Sequence, residues 1–145
     1  MLAVVWIAES TWETCVDEAA ALVPADAEIL LLHVAPSDVE LLAARRHGPL
    51  GRHPRPAPGP PLQAIADEAA HALLADAVAR LGRPAQTLAR RGRVEHEVVE
   101  AAAGADLLVV ARDGEPAAGP KSLGPRTRFV VDHAPCSVLL VQRAP

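Results

Sequence analysis

Between Leu107 and Val141 the chain sets small residues where backbone amides can meet an anion. An apolar run from Leu107 to Ala111 is followed by Arg112, Asp113 and Gly114; a stretch rich in Gly and Pro then leads to Gly124, Pro125, Arg126 and Thr127 at a helix entrance. A loop and a helix N-terminus aimed at one point present N–H donors and the positive end of a dipole, which suits phosphate. The amides of Arg126 and Thr127, with the Arg126 and Arg112 guanidiniums, would extend that donor set. Lys121, the single lysine, lies in the same stretch as a further point charge. Other chemistry has less support. His33 stands in a Leu-rich run and reads as a satisfied core histidine, His71 as solvent-facing among alanines, and His96 as part of a polar face with Glu95 and Glu97 that lacks a metal partner. Cys15 and Cys136 have neither metal nor redox spacing and read as small buried residues. No Ser-His-Asp order has a supporting context, so no catalytic residue is assigned and no enzyme is expected.

The groups that must position such a site fit one domain. At 145 residues a chain buries roughly 70% of its unfolded surface without disulfides or metals. Half of the residues are hydrophobic but only 2% are aromatic, so the core must be built from Val, Leu, Ile and Ala. A formal charge of −4 and a pI near 5.8 argue against nucleic acid or an acidic membrane as partner. The opening apolar run, Leu2 to Ala8, has no basic leader and is too short to span a bilayer. A cytoplasmic protein is expected.

Unbroken apolar runs separated by helical patterns indicate an α/β fold with a parallel sheet. The strands are expected at Leu2 to Ala8, Glu28 to Val34, Pro84 to Arg91, Leu107 to Ala111 and Ser137 to Gln142. Ser10 and Glu13 predict a capping box for a helix from Thr11 to Val23, with Cys15, Ala19 and Leu22 inward. A second capping box, Ser37 with Glu40, predicts a short helix through Arg46, and residues 48–61 form a Pro-rich surface loop. Leu62, Ile65, Ala69, Leu73 and Ala77 mark the inward face of a long helix ending at Gly82. Val94, Val98 and Ala102 do the same for a helix from Val94 to Ala103, and Pro135 ends the last helix near His133. Asp106 belongs to the opposite end of the sheet from any ligand, as a cap or ion pair.

Three stretches in this order resemble the universal stress protein family: Leu31-Leu32-His33-Val34, Gly104-Ala105-Asp106-Leu107-Leu108-Val109-Val110, and His133-Ala134-Pro135-Cys136-Ser137-Val138-Leu139-Leu140-Val141. The resemblance spans nearly the whole chain outside the Pro-rich loop and implies a five-stranded parallel sheet of order 3-2-1-4-5 with helices on both faces. A ligand then sits outside the carboxyl ends of strands one and four, where the order reverses. Ala8, Glu9, Val34, Val110 and Ala111 would border it, with Arg112, Gly114, Gly124, Pro125, Arg126 and Thr127 beyond. ATP-binding members of the family carry Gly-x2-Gly-x9-Gly-Ser/Thr. Here Gly114 and Gly124 keep the x9 spacing, while Ala111 replaces the first Gly and Pro125 the Ser/Thr.

These members also carry an Asp in the position of Ala8, and losing a ligand acceptor of that kind costs about 1.5–3 kcal/mol. A methyl at Ala111 takes space a phosphate would use, and Pro125 removes an N–H and a hydroxyl yet suits the first helical turn. Trp6 reads as a core or pocket-lining residue. The resemblance implies a non-enzymatic stress-response or regulatory domain with a degenerate nucleotide crevice that holds ATP or another adenine nucleotide weakly or not at all. The alternative is a sensor of nucleotide or another small ligand through Gly114, Gly124, Thr127 and nearby Arg side chains; a nucleotide hydrolase of the same superfamily is more distant. The uncharged last strand, Ser137 to Gln142, is expected to pair with its copy in a homodimer.

Overall fold

The computed structural model describes residues 1–37, 62–114 and 123–142. The Pro-rich loop, the short helix expected through Arg46, and Lys121 lie outside the described residues. Five strands, β1 (Leu2–Trp6), β2 (Glu28–Pro36), β3 (Gln86–Gly92), β4 (Leu107–Ala111) and β5 (Ser137–Val141), form one parallel sheet in the order β3-β2-β1-β4-β5. Four helices connect them: α1 (Trp12–Leu22), α2 (Leu62–Leu81), α3 (Val94–Ala101) and α4 (Pro125–His133). The fold and strand order expected from the sequence are those observed.

β1 is central because its side chains serve both faces of the sheet. Ala3, Val5 and Ile7 pack with Cys15, Val16 and Ala19 of α1 and with Leu74, Ala77 and Leu81 of α2. Val4 and Trp6 point the other way, into a cluster with Val94 and Val98 of α3, Ala102, and Val130 of α4. Period-two alternation in a strand covered on both faces is why β1 reads as a continuous apolar run. Burial also pushes the Cys15 thiol up to about 12, as for an inert core residue.

Three local expectations fail for identifiable reasons. The Ser10 capping box does not form: Thr11 is the N-cap without a side-chain bond, and the Ala8 carbonyl accepts the Thr11 and Trp12 amides at 3.1 and 2.9 Å. The helix starts one residue later than the box requires, with its first amides held by this backbone turn. Leu22 is exposed rather than inward, since the chain leaves the helix at the next residue. In α2 the buried stripe is Ala70, Leu74, Ala77 and Leu81, whereas Ile65 and Ala69 are exposed and Leu73 is half-buried. A helix this rich in Ala and Leu has no polar stripe sharp enough to fix its rotation. Strand and helix ends shift by one or two residues.

The base of the sheet is tied by polar groups. Asp106 donates its amide to the Leu2 carbonyl at 2.9 Å and accepts the Leu2 N–H on its carboxylate at 2.7 Å, joining the starts of β1 and β4. Gly82 ends α2 with φ 69°, the left-handed turn that glycine adopts without strain. Arg83 follows and donates to four carbonyls of the turn between α1 and β2: Val23 at 3.2 Å, Pro24 at 2.8 Å, Ala25 at 3.3 Å and Ala27 at 2.8 Å. Arg80, by contrast, pairs with Asp17 on the exposed surface, at 2.7 Å. Arg83→Ala is expected to destabilise the protein by about 1–3 kcal/mol, and Arg80→Ala by clearly less; urea midpoints of the two variants against the parent check the ranking.

Candidate functional site

The carboxyl ends of β1 and β2 open onto a cleft of about 540 Å³, within the size range of small-molecule sites. Its walls are mostly apolar. Trp6 and Ala8 come from the β1 end, Val34 from β2, Ala66 and Ala70 from the first half of α2, and Val94 from the start of α3. Small alanines on α2 let that helix stand close over the strand ends. Polar groups rim the cleft: Glu9 and Ser10 after β1, His33 on β2, Gln63 on α2, Arg91 on β3, Asp113 after β4 and Arg126 on α4.

Their partners define the electrostatics. His33 Nδ1 lies 2.7 Å from the Ile7 carbonyl; a carbonyl only accepts, so this nitrogen carries the hydrogen and Nε2 is the acceptor of the neutral ring. Arg91 is held 2.8 Å from the Asp67 carboxylate of α2. Glu95 lies 2.7 Å from Arg93 and 3.9 Å from Arg126. Burial alone would raise the Glu95 carboxyl, but its own backbone hydrogen bond and the Arg93 and Arg126 guanidiniums outweigh this and hold it below the ordinary range. On the far side of α3 and α4, Phe129 stacks between His96 and His133, with centroids 4.8 and 4.0 Å away. Among the described residues no three His, Cys, Asp or Glu side chains group as a metal site.

At the anion-binding corner anticipated from the sequence, one of the amides is engaged by the protein's own carboxylate. The Asp113 carboxylate accepts the Gly124 N–H at 3.0 Å, at the residue that caps α4. A carboxylate at a helix N-terminus is stabilised by the amides and the dipole in the way a bound anion would be. A Cβ added at Gly124 would stand 3.0–3.2 Å from that carboxyl group, so glycine is what lets Asp113 approach. Pro125 fills the first helical position, as expected.

Of the residues expected at the site, Ala8, Glu9, Val34 and Arg126 line the cleft. Val110 and Ala111 are buried and lie outside its lining, because β4 is covered on both faces and its pairing continues through the Arg112 amide to the Val141 carbonyl at 2.9 Å. Arg112 and Gly114 are half-buried nearby, and Pro125 is exposed. Thr127 is only 1% exposed and lies outside the lining of the cleft. The opening is therefore displaced from the β1–β4 junction toward β2 and α2. Sequence reasoning missed Asp113, Arg91 and the α2 residues. An acidic residue between the two positions of a presumed phosphate loop was the available signal for Asp113; nothing local marked Arg91.

A sequence profile of the universal stress protein family matches residues 8–142, and the chain belongs to that family. No curated protein matches the sequence. Solved structures share the fold at low identity. The hypothetical protein MJ0577 superposes with TM-score 0.75 at 19% identity over 99% of this chain and 96% of its own. The universal stress protein UspA from Lactobacillus plantarum gives 0.63 at 20% identity, with 97% of each chain covered. The Arabidopsis thaliana family protein with AMP bound gives 0.60 at 18% identity, over 99% and 92%. Two others were solved with nucleotide: a universal stress protein in complex with cAMP, and that of Archaeoglobus fulgidus in complex with dAMP.

Because the folded Glu95 carboxyl titrates below its unfolded value of about 4.3, its contribution is fully present above that value and is lost as pH falls through the folded one. Glu95→Gln is expected to lower the urea midpoint at pH 7 and to lower it progressively less as the pH falls below about 4.3. Equal losses above and below that value would contradict the assignment.

Proposed function

We propose that this chain is a non-enzymatic, cytoplasmic stress-response or regulatory domain whose cleft takes an adenine nucleotide or related small ligand, and ATP only weakly. The observation that carries the reading is the cleft at the carboxyl ends of β1 and β2, apolar in its walls and rimmed by a few polar groups. That combination suits a flat heterocycle, with the Trp6 ring and the small α2 alanines against its faces and His33 Nε2 and Gln63 at its edge. Family members of the same fold solved with AMP, cAMP and dAMP support an adenine-type ligand. Weak ATP binding is supported by Ala8, which offers no carboxylate, by Pro125, which offers no N–H, and by the Gly124 amide already bonded to Asp113.

Trp6 reports on this directly. With Trp12→Phe leaving Trp6 as the remaining tryptophan, titration with AMP is expected to change its emission along a saturable curve, and ATP to need high micromolar concentrations or more, weaker than about −5.5 kcal/mol. A silent Trp6 with AMP at millimolar concentration would remove the adenine reading, and sub-micromolar ATP would remove the weak-binding one.

The partner proposed is a second copy. β5 stands at the sheet edge and, among the described residues, pairs only with β4; it carries no charge, and Val138, Leu139 and Leu140 are half-buried. An uncharged apolar edge favours pairing with another strand. Light scattering at tens of micromolar is expected to give the mass of a dimer, and Leu139→Lys that of a monomer; a monomeric parent protein would overturn this.

A further inference from the structure

We propose that the cleft selects an uncharged nucleoside over its phosphorylated forms, and that Asp113 is the residue that sets this preference. The inference deepens the adenine-binding reading and rests on it. Asp113 stands on the segment leaving β4 and lines the cleft, while its carboxylate holds the Gly124 N–H at the start of α4. A phosphate entering this corner would compete with that carboxylate for the Gly124 amide, and Pro125 next to it has no N–H to add. The carboxylate would have to give way, and its charge would remain beside the incoming anion.

The rim provides little to offset it. Of the two guanidiniums that line the cleft among the described residues, Arg91 is held by Asp67 and Arg126 lies against Glu95, which Arg93 also engages. Among those residues Glu9, Asp113, Asp67 and Glu95 balance Arg91, Arg93, Arg126 and the half-buried Arg112, so no positive excess draws a phosphate in. Like charges at close range in a partly dehydrated site are unfavourable in proportion to their number, so each added phosphate weakens binding further. A nucleoside avoids that cost: its ring meets the apolar walls, and its hydroxyls can donate to Glu9, leaving Asp113 on the Gly124 amide. Specificity then comes from a repulsive element rather than from stronger contacts to the favoured ligand.

The test is calorimetric titration of the full chain with adenosine, AMP and ATP, repeated for Asp113→Asn, which keeps an oxygen able to accept the Gly124 amide. The parent protein is expected to bind adenosine at least about tenfold more tightly than ATP, with AMP between. Asp113→Asn is expected to raise ATP affinity by about tenfold and to change adenosine affinity by less than about threefold. Added salt should narrow the adenosine-to-ATP gap in the parent and have less effect in the variant. AMP or ATP binding the parent as tightly as adenosine, or a variant that shifts all three ligands alike, overturns the selectivity while leaving the adenine cleft standing. Failure of all three ligands to bind overturns both.

Discussion

A parallel sheet covered on both faces leaves a ligand only its carboxyl edge, and everything about this protein's site follows from that constraint. β1 is buried from Ala3 to Ile7, with α1 and α2 on one side and α3 and α4 on the other. Among the described residues, the faces of β1 are covered and only its ends are open to a ligand. The strand ends must therefore combine packing with recognition, and Trp6 and Val34 do both, belonging to the core cluster and to the cleft wall.

Within that frame the position of the cleft depends on which strand ends are filled. The corner between β4 and α4 is occupied by an internal contact, Asp113 on Gly124, so the space that remains lies over β1 and β2 beneath the start of α2. The contact resembles an N-cap in its chemistry, a carboxylate on a helix-entrance amide, but it is delivered from the segment after β4. It connects the end of the sheet to the start of α4. Holding that corner with a side chain favours order in the empty protein and disfavours an external anion; one interaction has both consequences.

Most of the strands could be read from the chain because buried parallel strands are apolar without interruption and are separated by Gly, Pro and charge, whereas the order of the sheet was implied by the resemblance to the universal stress protein family. Val94 and Val98 faced inward as expected because α3 has a polar stripe, Glu95, His96 and Glu97, to fix its rotation. α2 has none, and its buried face was misplaced by one residue along the stripe. The Ser10 cap was inferred from local pattern, but the helix is capped at Thr11 after a backbone turn onto the Ala8 carbonyl. Asp113 and Gly124 are eleven residues apart, and Arg83 reaches carbonyls nearly sixty residues earlier. Contacts of that separation depend on the finished topology and leave no periodic trace.

The most direct measurement is a crystal structure of the protein with adenosine, compared with one soaked in AMP. The account predicts the adenine ring against Trp6 beneath the start of α2, with the Asp113 carboxylate still on the Gly124 amide. A phosphate bonded to Gly124, with Asp113 swung aside, would contradict it.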